Sequence, residues 1–360
     1  MFGPFKKEKP IQGFSGFGGG ATGAAFRSAG ATGPGAPTSP KGAAGGTIIT
    51  NDPSYIFHKF VVSDNGQATG EFWTPPSWSP TTISLLTVGG GGGGGCDDYP
   101  NNRGGGGGGA GGMYYTTVST SGGETRTVTV GSGGPGALPN ETKNPLGVSS
   151  PNPREYAGAP GTSTWFGESG GDSTPETLVA RGGGGGGSHT QFSSIAEYMP
   201  GNDGRSMQNQ PDTYWPAARQ GSGGGGSNGQ TGGQGQSDGS GGVGGDYGGG
   251  GGGGAGQSTD SGTGGNGLQW PEMPSPVRPV ITPSQPEGYF AGGGGGRQNY
   301  APDNQGGKGG GGDGHASGDP AGNPGAGQAG QNGLGGGGGA SREQQGGSGG
   351  DGVVLVRYPV

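Results

Sequence analysis

Thr82-Ile83-Ser84-Leu85-Leu86-Thr87-Val88 passes without a break into Gly89-Gly90-Gly91-Gly92-Gly93-Gly94-Gly95, and the fold turns on how that junction is read. The first seven residues are β-branched or apolar and predict a strand. The default for the next seven is a flexible linker. Linkers separate domains, however, and glycine blocks recur at 104–112, 182–187, 221–226, 248–256, 292–296, 306–312, 333–339 and 346–352, with no domain-sized segment between several of them.

The alternative is a bundle of extended rods. Polyglycine can take the left-handed threefold form related to polyproline II, rising about 3.1 Å per residue, so seven residues span roughly 22 Å. Its N–H and C=O groups point outward, each residue in turn toward a different neighbour. Without side chains, rods approach closely enough to bond to one another and satisfy their buried backbone groups. Any inward side chain would wedge them apart, which accounts for near-pure glycine. Fixing a residue costs ~1–2 kcal/mol and a net hydrogen bond returns ~0.5–1.5 kcal/mol, so many rods must pack cooperatively and a β module must cap them. The block spacing is irregular, which disfavours a fixed-period solenoid.

Composition excludes the common alternatives. Of 360 residues, 105 are Gly and 30 Pro, so an ordinary helical or doubly wound domain is ruled out; hydrophobic residues make up 24 % and charged residues 12 %, too few for a conventional core. The net charge of −7 and the scattered basic residues leave no footprint for a nucleic acid, and the RGG triplets at Arg103 and Arg181 mark loop-to-run junctions. A single Cys96 excludes an intramolecular disulfide framework. No apolar region follows the basic start of the chain, and no run approaches the ~20 apolar residues of a membrane span.

Residues 1–50 read as an extended Gly/Ala/Pro arm carrying Phe2, Phe5, Phe14, Phe17 and Phe26, either plugs for pockets on a partner or a flexible leader. A β module with the first glycine blocks is expected over 51–135, a rod bundle with display loops over 136–352 and a closing strand over 353–360, with 51–360 as one folding unit. The fold class expected is irregular/β, with a small antiparallel β module capping polyglycine II rods and essentially no α-helix. Two hairpins are predicted. Tyr55-Ile56-Phe57-His58-Lys59-Phe60-Val61-Val62 would pair with Glu71-Phe72-Trp73-Thr74, and Met113-Tyr114-Tyr115-Thr116-Thr117-Val118 with Thr125-Arg126-Thr127-Val128-Thr129-Val130. Val353-Val354-Leu355-Val356-Arg357-Tyr358 is apolar on both faces, as a buried closing strand is.

From the third block onward, long and short connections between blocks alternate, which would gather the long loops at one end of an up-and-down bundle. That end would hold Tyr198, Met199, Tyr214, Trp215, Trp270, Tyr289 and Phe290. Exposed aromatics on loops of a rigid scaffold suit a receptor-binding surface; the other reading is that they cover the rod ends.

The passage Phe72-Trp73-Thr74-Pro75, the strand 82–88 running into glycine, Thr164-Trp165-Phe166-Gly167 followed by Leu178-Val179-Ala180-Arg181 and six glycines, and the ending Gly350-Asp351-Gly352-Val353-Val354-Leu355-Val356 resemble the glycine-rich domains of bacteriophage tail proteins. The resemblance covers roughly residues 55–360. It implies a virion protein at a tail-fibre tip, as in adhesins with polyglycine sandwiches, whose loops meet a host cell-surface receptor, protein or polysaccharide. Residues 1–50, outside the resemblance, would dock on other virion proteins, and a homotrimer is one candidate assembly. The rival readings are a purely structural capsid- or tail-decorating fibre and an ice-binding or silk-like glycine protein.

Enzymatic signatures are missing. Each G-x-G-x-x-G lacks the strand before and helix after that dinucleotide binding needs, and Gly307-Lys308 lacks the rest of a P-loop. His58, His189 and His315 stand far apart, and Asp97-Asp98 after Cys96 fits turn chemistry better than cation binding. The sequence predicts no catalytic residue, no cofactor, no metal, no nucleic-acid partner and no membrane insertion.

Overall fold

The computed structural model describes residues 42–62, 68–97, 104–138, 158–167, 178–187, 189–192, 195–198, 222–226, 249–257, 259, 262–297, 305–315, 325–342 and 344–360. In chain order its strands are β1 (Thr47–Ile49), β2 (Tyr55–Val61), β3 (Ala68–Trp73), β4 (Thr82–Val88), β5 (Cys96–Asp97), β6 (Met113–Ser119), β7 (Thr125–Val130), β8 (Thr164–Phe166), β9 (Leu178–Ala180), β10 (His189–Phe192), β11 (Ile195–Tyr198), β12 (Leu268–Gln269), β13 (Tyr289–Phe290), β14 (Ser341–Arg342) and β15 (Val353–Pro359). One four-residue helix, α1 (Arg278–Ile281), follows a 3-10 turn at Ser275–Val277. The expected irregular/β class is what the chain adopts.

Two antiparallel sheets form the β module, ordered β1-β2-β15-β4-β6 and β3-β7-β8-β9. β15 is apolar on both faces because it lies mid-sheet between β2 and β4, with residues 353–356 all buried. Val354, Val356 and Tyr358 face the second sheet and meet Phe60, Phe72, Trp78, Val128 and Phe166. Aromatic contacts fix this core, with Trp78 and Tyr358 meeting edge-on, centroids 4.7 Å apart, and Phe72 and Phe166 tilted at 6.1 Å. His58 is buried there too, its Nδ1 2.6 Å from the Gly45 carbonyl and its Nε2 2.7 Å from the Tyr358 hydroxyl. Since a carbonyl only accepts, Nδ1–H donates and Nε2 accepts from the tyrosine. Burial drives the His58 pKa down from 6.5 to about 4, against the opposing pull of the Gly45 carbonyl.

Neither predicted hairpin forms. β2 and β3 lie in different sheets, as do β6 and β7. The reason lies in the glycine runs. The chain leaves β4 along rod 1 (89–95), returns along rod 2 (104–112), and re-enters the same sheet beside β4 as β6, with Val88 opposite Met113. Likewise β7 continues into rod 3 (131–138), and rod 4 (158–163) brings the chain back as β8 beside β7. The strand partners are therefore set by the rods, and the turn at 121–124 carries the chain from one sheet to the other. Sequence places residues 42–49 in the arm, but here they join the module: Ala44 pairs with Trp73, and β1 with β2.

Further rods follow at 182–187 (rod 5), 222–226 (rod 6), 249–254 (rod 7), 262–267 (rod 8), 291–297 (rod 9), 309–315 (rod 10), 325–331 (rod 11), 335–340 (rod 12) and 346–352 (rod 13). Rod 1 displays the threefold rule in full. Gly89, Gly92 and Gly95 donate to Gly112, Gly109 and Gly106 of rod 2; Gly90 and Gly93 donate to rod 4; Gly91 and Gly94 donate to rod 13, all at 2.8–2.9 Å. Its carbonyls accept in the same rotation, from Gly183 and Gly186 of rod 5, Gly134 and Ala137 of rod 3, and Gly338 of rod 12 and Ser341 beyond it. Rod 1 is thus ringed by six rods, three parallel and three antiparallel. The same pattern rings rods 2 and 12, and rings rod 9 with the short stretch 305–308 as one member.

Those four enclosed rods carry almost only glycine; the exceptions are Ala110, Ala291, Arg297 and Ala340, at or near rod ends. Among described rod glycines only Gly309, Gly310 and Gly335 have positive φ. The others adopt backbone angles open to any residue, so space and not conformation demands glycine. A Cβ on Gly92 would overlap the Gly184 carbonyl oxygen, and one on Gly107 that of Gly294. At the periphery the requirement relaxes with a period of three. In rod 13 and just before it Gln345 and Ser348 are exposed while Gly346, Gly347, Gly349 and Gly350 are buried; along rod 11 Ala326 and Ala329 are exposed around Gly327, and Gly330 is buried.

Candidate binding end of the bundle

The bundle has two distinct ends. Rods 1, 2, 3, 4, 5 and 13 each join a strand of the β module or the residue beside one, which defines a sheet end. At the far end rods 1, 5 and 12, which run parallel, pass into β5, β10 and β14. These three strands pair in parallel, His189 opposite Asp97 and Ser341 opposite Cys96, with β5 in the middle as rod 1 is between rods 5 and 12. β11 completes the small sheet by pairing antiparallel with β10, which sets Tyr198 opposite His189. The described ends flanking 98–103, 139–157, 227–248, 298–304 and 316–324 all lie toward this far end.

Of the seven aromatic and Met positions predicted for one surface, the backbone of Tyr198 is at the far end. Met199, Tyr214 and Trp215 lie outside the described residues, as do Phe2, Phe5, Phe14, Phe17 and Phe26. Trp270, Tyr289 and Phe290 are at the opposite end, a correction with a clear physical cause. The connection from rod 8 to rod 9 folds over the outer face of the five-stranded sheet, where Phe57, Leu86 and Leu355 would otherwise face water. Trp270, Met273, Val277 and Ile281 cover that face, and Trp270 and Phe290 are 1 % and 0 % exposed. Neither is a surface anchor. The three- and four-residue spacing of 270, 273, 277 and 281 is the sequence signal for a buried stripe.

Polar groups clamp this cover. Trp270 meets Phe57 edge-on at 6.3 Å, and the Arg357 guanidinium lies 4.2 Å from the Tyr55 ring centroid and pairs with Glu272 at 2.8 Å. Lys59 Nζ donates to the Ile281 carbonyl at 2.6 Å, and burial lowers its pKa. Tyr289 is half-buried, with Lys308 Nζ 5.4 Å over its ring and 2.8 Å from Glu287.

Among the described residues no group of three or more His, Cys, Asp or Glu side chains is placed to hold a metal ion. No helix among them is long and apolar enough to cross a membrane. His58 is committed to the sandwich core.

The class that this architecture defines is an antiparallel β sandwich drawn out into a hexagonal polyglycine bundle. The chain belongs to the glycine-rich domain family, whose match runs over residues 66–359. No curated protein matches it.

Proposed function

We propose that the protein is a structural component of a bacteriophage virion, a tail-fibre or tail-tip adhesin that presents loops at the far end of its bundle to a receptor on the host surface. The observation that carries this reading is the polarity of the molecule. Gly42, where the described chain begins, abuts Pro75 beside the Ala44–Trp73 bridge, at the end of the sandwich away from the rods. An arm leading into that point enters one pole, and the display sheet β10-β5-β14 occupies the other. Residues 1–41, with their five phenylalanines, then dock on other virion proteins. Tyr198, Met199, Tyr214 and Trp215 supply receptor contacts, since Tyr and Trp give large area at low entropic cost. A lattice of backbone hydrogen bonds suits the task, because it holds loops rigidly without an apolar core.

Immunogold labelling of intact particles with an antibody against residues 188–220 tests the placement. Gold at distal fibre tips is the expected result. Gold over the capsid would turn the reading to a decorating fibre, and unlabelled particles would remove the virion altogether.

A further inference from the structure

Among the described residues β6 is the one long sheet edge left open. The other edges are β1 and β9, three residues each, and β3, which carries Glu71 and is bridged at Trp73 by Ala44. Gly89 donates to the Gly112 carbonyl and Thr120 to that of Thr81, so in the register that sets Leu86 opposite Tyr115 the even-numbered residues of β6 bond to β4. The N–H and C=O groups of Tyr115 and Thr117 therefore point away from the sheet. The one hydrogen bond described for them comes from the Thr116 hydroxyl, 3.5 Å from the Thr117 carbonyl oxygen. Tyr115 is 44 % exposed, and Thr117 is exposed as well. At the next outward position the Arg126 guanidinium donates to the Ser119 carbonyl at 2.9 Å. Edges of folded proteins are ordinarily blunted by lysine, proline, a bulge or a covering segment. Met113-Tyr114-Tyr115-Thr116-Thr117-Val118-Ser119 has no charge and no proline, and it pairs with β4 without a bulge.

We propose that a second copy of the chain adds its own β6 to this edge, antiparallel about a two-fold axis at Thr116. The occupant is argued from the strand's fit to itself. With Thr116 opposite its own counterpart, Tyr115 of each copy meets Thr117 of the other, and about four backbone hydrogen bonds join the outward groups. The cross-strand pairs are then of favourable kinds: Tyr115 with Thr117, Tyr114 with Val118, and Thr116 with Thr116. Moving the axis to Thr117 would need the Ser119 carbonyl, which Arg126 holds. Each copy carries a net charge of −7, so contact between copies is least opposed where the meeting strands are neutral, as β6 is. The two-fold uses both open edges, and the assembly closes at two chains instead of growing into a fibre.

Sedimentation of the full-length protein over a range of concentrations, wild type beside Thr117→Pro, tests this together with mild oxidation of Thr116→Cys and Thr117→Cys. Proline at 117 removes an outward N–H and leaves the hydrogen bonds to β4 whole. Expected are a wild type of twice the chain mass, a Thr117→Pro protein of single mass with the wild-type Tm, and a disulfide-linked pair from Thr116→Cys, whose Cα atoms would stand about 4.5 Å apart. Thr117→Cys, offset along the strand from its counterpart, should stay unlinked; Cys96 is buried and common to both. A wild type of single mass at every concentration would overturn the proposal, as would an assembly of three chains. Thr117→Pro as dimeric as the wild type would overturn β6 as the contact. Should that variant fail to fold, the cysteines decide alone: no linkage from Thr116→Cys, or equal linkage from both, overturns the pairing.

Discussion

Gly92 and Ser348 occupy the same kind of backbone, and differ in what lies one bond beyond it. Around Gly92 that space belongs to the Gly184 carbonyl; Ser348 faces solvent. Gly92→Ala should therefore destabilise by about 3 kcal/mol or more, since rods held at hydrogen-bond distance cannot part locally without breaking several bonds. Ser348→Ala should stay within about 0.5 kcal/mol of the wild type, and urea melts of the two variants check both figures. His58 supplies a pH test. Its pKa is lowered by burial, so the folded state binds fewer protons than the unfolded chain. Stability is full above pH 6.5, declines as the pH falls toward about 4, and levels off below that once folded His58 also protonates. The loss should total about 3 kcal/mol, and His58→Gln should flatten that part of the pH profile of chemical denaturation.

At the scale of elements, strands were legible where local chemistry decides them and their partners were not. β15 announces itself because Val353, Val354, Leu355 and Val356 leave no polar face. β6 and β7 are equally clear as strands, and adjacency with a Gly-Gly turn makes a hairpin of them on paper. What separates them is information held in rods 1 to 4, whose lattice is built from backbone hydrogen bonds and not from side-chain pattern. Rods 3, 4, 8 and 11 escape a search for glycine blocks because the outward positions of a peripheral rod accept side chains, which interrupt the run of glycine. The far-end sheet was not legible either, as β5 and β14 are two residues long and exist because rods 1 and 12 deliver them side by side. Of the stripe over the five-stranded sheet, Trp270 alone reads from the sequence as a surface aromatic, and it is buried. Trp270→Ala should cost about 3–5 kcal/mol, as a large buried ring is lost. If the folded variant still binds host cells as the wild type does, Trp270 acts on stability alone, which is the expected outcome of an adsorption assay run well below its Tm.

For the whole molecule, the strand that locks the sandwich follows the rods in the chain. β15 pairs with β2, about 300 residues earlier in the chain, and with β4, about 270 earlier, and every described rod is synthesised before it. Until residues 353–359 leave the ribosome, the sheet has a gap at its centre, and the bundle hangs from strands that are not yet joined. By the time β15 is made, all 105 glycines of the chain have been synthesised without the strand that locks them. Its low apolar content then becomes protective, because the waiting chain offers chaperones and other nascent chains little hydrophobic surface to seize.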